Sequence, residues 1–141
     1  MANRLDQAFA GGRKLLCPFL TAGYPTLAAT PALLLAAQAG GAGVLELGIP
    51  FSDPVADGPV VQASYTHALA GGTTVKGSLE AASIARQQGL TVPVVAMARS
   101  SRIDRQTQLS CNSLQGAAVG NRRYGGCQAA GGRVDRTIMR Q

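Results

Sequence analysis

Between residues 15 and 98 the chain alternates short, largely apolar runs with longer mixed stretches, and nearly every boundary carries Gly or Pro. The run Leu15-Leu16-Cys17-Pro18-Phe19-Leu20-Thr21 predicts a first strand closed by the turn Ala22-Gly23-Tyr24-Pro25. Pro18 is awkward inside it, because a central strand needs its N–H donors. Thr30-Pro31 has the form of an N-cap followed by Pro at the first helical position. It opens an Ala- and Leu-rich helix over 32–39 that Gly40-Gly41 ends. Residues 44–48 predict a second strand with one carboxylate, Glu46, at its centre, followed by a loop over 49–59 that three prolines stiffen. A helix over 60–70 stops at Gly71-Gly72, and Thr74 caps another that runs to about Gln88 and ends at Gly89. Gly77 is expected to weaken that helix by roughly 1 kcal/mol relative to Ala. Residues 92–97 predict the third strand.

Strands linked by helical connections imply an α/β fold with a parallel sheet and right-handed crossovers. Strands buried on both faces read as continuous apolar runs, as these do. Such folds carry their chemistry on loops at the carboxyl ends of the strands, which directs attention to the Pro-rich loop after the second strand.

Composition adds a boundary. The chain has 141 residues with a formal net charge of +6, and 46% of residues are hydrophobic but only 4% aromatic, so its core must be mainly aliphatic. Residues 1–98 hold five basic and five acidic side chains, and residues 99–141 hold eight Arg against two Asp, which accounts for the whole excess. Apolar periodicity fades at the same place. The chain therefore reads as two segments: residues 1–97, and an Arg/Gly/Gln-rich tail over 98–141 that is disordered or out of frame. No apolar run approaches the roughly 18 residues of a membrane span, and the amino terminus has no apolar signal region. Three cysteines (Cys17, Cys111 and Cys127) show no metal-ligand spacing. A cytoplasmic, reducing setting follows, with no membrane and no metal.

Glu46 is the sharpest chemical signal. Val44, Glu46 and Gly48 share one face of their strand and Leu45 and Leu47 the other. The leucines suit a helix-covered face, which sends Glu46 to the interior. There desolvation favours the protonated carboxyl, a form able to donate a proton near neutrality; a structural Glu paired with an Arg or a backbone amide is the alternative. Asp53 and Asp57 sit in Asp-Pro and Asp-Gly pairs, where each side chain can serve a turn, or one can complete an acid/base pair with the strand carboxylate. Cys17 reads as a small buried hydrophobe. His67 reads as an ordinary surface or core histidine.

The run Glu46-Leu47-Gly48-Ile49-Pro50-Phe51-Ser52-Asp53-Pro54-Val55-Ala56-Asp57-Gly58-Pro59 closely resembles the signature of the tryptophan synthase α subunit. The opening Asn3-Arg4-Leu5-Asp6-x-x-Phe9, the stretch 18–25 and Ala70-Gly71-Gly72-Thr73-Thr74 resemble the same family in the same order. The resemblance implies a (β/α)8 TIM barrel that cleaves indole-3-glycerol phosphate to indole and glyceraldehyde 3-phosphate. It implies catalytic roles for Glu46 and Asp57 and an indole-pocket role for Phe19. Asp53 and Pro54 fall in a loop facing a β subunit, in an α2β2 heterotetramer whose pyridoxal phosphate belongs to that subunit; the α subunit needs no cofactor.

Beyond Met97 nothing matches. A full barrel takes about 250 residues, so the matched part covers roughly its first third, truncated before the loops that usually hold phosphate. As a truncated barrel the chain is expected to be impaired or inactive in the lyase reaction. The competing expectations are a non-catalytic piece that binds a β subunit, and a basic tail that binds nucleic acid, which the scarcity of interleaved aromatics disfavours.

Overall fold

The structure, a computed structural model, describes residues 4–98 in full, together with the backbone of three short strands at 118–121, 126–129 and 132–133. In chain order the elements are α1 (Arg4–Phe9), β1 (Phe19–Thr21), a 3-10 turn (Leu27–Ala29), α2 (Thr30–Ala39), β2 (Leu45–Gly48), α3 (Pro59–Ala70), α4 (Val75–Gln87), β3 (Val94–Met97), β4 (Ala118–Asn121), β5 (Gly126–Ala129) and β6 (Gly132–Arg133). They form one sheet in sequence order. β1, β2, β3 and β4 run parallel, and β5 and β6 add antiparallel.

The two faces of β2 separate as its alternation requires. Leu45 and Leu47 are fully buried and join Leu34 of α2 with Leu79, Ala82 and Ala85 of α4 in one aliphatic layer. The alanines let α4 approach closely, and each buried Leu contributes about 1.5–3 kcal/mol. On the opposite face Val44 and Val95 pack with Leu5, which α1 lays across the amino-terminal end of the sheet.

Several local features differ from the sequence expectations, each for a physical reason. β1 begins only at Phe19, because Pro18 supplies a carbonyl (accepting from Glu46 N at 3.0 Å) but no donor. Leu16 makes no more than an isolated parallel bridge to Ala42, and Cys17, expected to be buried, is exposed. Thr30 does not cap α2 through its side chain. Its hydroxyl accepts instead from Gly23 N at 3.0 Å, across the turn after β1, while Thr26 caps the 3-10 turn that leads into α2. Thr74 does cap α4, accepting from Gly77 N at 3.0 Å. Gly77 has a packing role, since a Cβ there would stand 2.8 Å from Leu27 Cδ2. The break after α4 follows from Gly89, whose φ of +105° lies in the left-handed region.

The segment after Ala98 contributes β4, β5 and β6, short Gly- and Ala-containing strands with none of the alternation that marks a strand in sequence. The expectations of a disordered, out-of-frame or nucleic-acid-binding tail otherwise fall on residues 99–117, 122–125, 130–131 and 134–141, which lie outside the described residues. Among the described residues no helix is long and apolar enough to cross a membrane.

Candidate active site

The parallel ladder sets the site. Glu46 is the Cα partner of Phe19 on one side and of Val95 on the other. Partners in a parallel sheet point to the same face, so Phe19, Glu46 and Val95 form one row on the face opposite the aliphatic layer. Sequence alternation thus places Glu46 on the correct side. It is half-buried rather than enclosed, with Val44 buried one step before it on that face and Gly48 one step after.

Gly48 is where two rings converge. A Cβ there would collide with Phe19 Cζ and stand 2.7 Å from Tyr65 Oη. The bare backbone therefore makes room for the Phe19 ring and for the phenol of Tyr65, which α3 delivers and which is only 3% exposed. Phe51, three residues beyond Gly48, meets Tyr65 edge-to-face with ring centroids 5.4 Å apart and planes at 65°. Such a T-shaped pair contributes about 0.5–1.5 kcal/mol beyond its buried area. Thr21, at the carboxyl end of β1, ties α3 down: its Oγ1 lies 2.7 Å from Ser64 Oγ. Ser64 Oγ donates to Val61 O at 2.8 Å, so the hydroxyl of Thr21 is the donor to Ser64.

Asp57 lies on the loop that leaves the carboxyl end of β2. Its amide donates to Pro54 O at 2.9 Å, closing a tight turn, and Gln62 Nε2 of α3 donates to its carbonyl at 2.6 Å. The loop is thereby held from both sides, with Asp57 half-buried, Asp53 exposed, Pro54 half-buried and Val55 82% exposed. Pro59 opens α3 at once, with Gly58 as the extended cap residue.

The Cys17 thiol is pushed up from its ordinary value, chiefly by desolvation and further by the charge of Glu46. The carboxylate thus makes itself felt toward the start of β1. His67, on α3, stacks edge-on against Tyr24 with centroids 5.2 Å apart and places Nε2 3.1 Å from Pro25 O, as a surface histidine does.

Phe19 and Glu46 are neighbours on one face, and Asp53, Pro54 and Asp57 share the loop that follows Glu46. Tyr65, Phe51, Gly48 and Gln62 are added by the fold. No spacing in the sequence announces them, because their meeting depends on how α3 returns over β1. A carboxyl group in one row with an aromatic side chain, followed in the chain by a loop that carries further carboxylates, suits proton transfer.

Comparison with known proteins identifies the family to which this fold belongs. A family model described as "Tryptophan synthase alpha chain" matches residues 5–108, a span that continues past Met97. The tryptophan synthase alpha chain of Burkholderia multivorans is 49% identical over 107 residues, covering 73% of this chain and 40% of that one. The crystal structure of tryptophan synthase subunit alpha from Legionella pneumophila superposes with a TM-score of 0.78 at 31% identity, covering 84% of this chain and 48% of the other. A chain of the tryptophan synthase complex from Pyrococcus furiosus superposes with a TM-score of 0.68 at 33% identity, covering 74% and 45% respectively. The chain spans less than half the length of the curated relatives it matches.

Proposed function

This chain belongs to the tryptophan synthase alpha chain family, a lyase family of tryptophan biosynthesis built on the TIM barrel, and from that premise we propose that residues 4–98 hold the acid–base half of an indole-3-glycerol phosphate lyase site. Glu46 in its protonated form delivers a proton to C3 of the indole ring. Its carboxylate then accepts the proton of the adjacent glycerol hydroxyl. The bond between C3 and that carbon breaks, the hydroxyl carbon becomes the aldehyde of glyceraldehyde 3-phosphate, and indole leaves with its aromaticity restored. Protonation at C3 places positive charge on the indole nitrogen, and Asp57 as an anion accepts the N–H hydrogen bond that strengthens as this charge develops. Interactions that grow in this way lower the barrier rather than merely tighten binding.

One observation carries the reading: Phe19 and Glu46 are direct partners across the β1–β2 ladder, so an aromatic wall and a carboxyl group lie side by side on the interior face. Gly48 supports it by clearing space for that wall. In barrels of this kind phosphate is usually held by loops after the seventh and eighth strands, outside residues 4–98, so turnover by the isolated chain is expected to be weak. The loop carrying Asp53, Pro54 and the exposed Val55 presents an acidic and apolar tip suited to a β subunit, and docking there without turnover is the second reading.

The test is release of indole from indole-3-glycerol phosphate by the full chain, alone and with a β subunit, against Glu46→Gln. Indole formation that Glu46→Gln abolishes supports the lyase reading. Co-migration with the β subunit but no indole leaves the docking reading in its place, and neither activity nor docking overturns both.

A further inference from the structure

At the amino-terminal end of the sheet, opposite the loop that carries Asp57, a cavity of about 510 Å³ opens between α1 and the residues that lead into β1, β2 and β3. Its walls combine three cations, Arg4, Arg13 and Lys14, with an apolar floor that includes Leu15, Leu16 and Val92, and among the described residues no Asp or Glu lines it. That volume lies within the roughly 300–1,000 Å³ typical of small-molecule sites. Asp6, the one carboxylate of α1, lies outside the lining.

Two guanidinium groups, that of Arg4 in the lining and that of Arg86 outside it, keep buried donors without acceptors. Arg4 Nη1 is buried with no hydrogen-bond acceptor. Arg86 donates from Nη1 to Leu90 O at 2.8 Å, but its Nε and Nη2 are also buried without acceptors. Burial, and secondarily the like charge of Arg4, lowers the Arg86 pKa to about 10. Buried guanidinium donors normally find an anion or a carbonyl.

We propose that this cavity is a binding site for a phosphate-class oxyanion, held by Arg4, Arg13 and Lys14 at the end of the sheet opposite the lyase site. Arg4 supplies the directed fork from the wall, Arg13 and Lys14 close over the anion from the solvent side, and the floor accommodates a short carbon chain attached to it. The site is independent of Glu46 and of the reaction proposed for the other end of the strands.

The experiment is calorimetric titration of the full 141-residue chain at low ionic strength with inorganic phosphate, pyrophosphate and propyl phosphate, with chloride as the control. Saturable binding is expected, weakened by about tenfold in Arg13→Gln/Lys14→Gln and unchanged in Lys76→Gln and in Glu46→Gln. Arg4→Lys, which keeps the charge but removes the planar fork, should weaken it as well. Propyl phosphate binding more tightly than inorganic phosphate identifies an organic phosphate as the ligand; equal affinities identify the free anion. No saturation up to about 10 mM, or undiminished binding in both the Arg13/Lys14 and the Arg4 variants, overturns the proposal. If the double variant loses its helical circular dichroism, Lys14→Gln alone is read in its place.

Discussion

Phe19 and Glu46 are Cα partners in the parallel ladder of β1 and β2, and the amide of Glu46 donates to the carbonyl of Pro18 at 3.0 Å. The backbone pairing sets the two residues side by side on one face of the sheet. Mutations of either side chain should therefore leave the other in place, which makes their roles separable.

Phe19→Ala removes the wall and keeps the acid. The expected result is a KM for indole-3-glycerol phosphate raised about tenfold with kcat changed much less, as befits a contact made equally in ground and transition states. Steady-state kinetics of the variant with a β subunit checks this, and a fall in kcat alone would contradict it.

Gly48→Ala places a methyl group against Phe19 and Tyr65. Overpacking of this kind costs about 1–3 kcal/mol, to be read as a lower urea midpoint with an unchanged slope. Shortening both neighbours in a Phe19→Leu/Tyr65→Leu background should recover part of the loss.

The hydrogen bond from Thr21 to Ser64 joins β1 to α3 at 2.7 Å. Thr21→Val keeps the shape and removes the donor, for an expected loss of about 1 kcal/mol. A double-mutant cycle with Ser64→Ala should show coupling of at least about 0.5 kcal/mol; strict additivity would mean that the pair does not hold the helix.

The sequence declared the three parallel strands because Gly and Pro mark their ends and the runs between are apolar except for Glu46 and the closing Thr21. It declared the orientation of Glu46 because Leu45 and Leu47 alternate with it. It did not declare how deeply Glu46 sits, since that depends on neighbours contributed by β1 and β3. Tyr65 was invisible: α3 carries no strong apolar stripe, and a lone aromatic on it does not say that it will reach Gly48. Gly77 looked like a defect only because Leu27, its reason for being small, lies fifty residues earlier in the chain. The late start of β1 traces to Pro18, whose missing N–H shortens the strand.

Cys17 offers a readout of the Glu46 charge that needs no turnover. Its thiol is pushed up by desolvation first and by Glu46 second. In a Cys111→Ser/Cys127→Ser background, Glu46→Gln should therefore lower the Cys17 pKa and speed alkylation at fixed pH near 8. An unchanged rate–pH profile would place the carboxylate too far away to matter.

Arg86 predicts a pH dependence of stability. Its folded pKa, about 10, lies well below the ordinary guanidinium range, so below pH 10 both states hold the proton and the folded state carries the full cost of the charge. As pH rises through 10 the folded state releases the proton before the unfolded state does, and the contribution of this group to stability rises. Urea titrations of the natural chain and Arg86→Met at pH 8, 9, 10 and about 11 should show the difference moving in favour of the natural chain. A constant difference would be the contrary result.

The single row formed by Phe19, Glu46 and Val95 makes the site tolerant in one direction and brittle in the other. Residues inserted into the loop after Gly48 lengthen a surface excursion and leave the row untouched. One residue inserted between Gly43 and Glu46 exchanges the two sides of β2, turning the carboxyl group into the layer beneath α2 and α4 and a leucine toward Phe19. The loop after Gly48 is thus free to vary in length, while the handful of residues leading into β2 cannot change in number without turning Glu46 out of the row it shares with Phe19 and Val95.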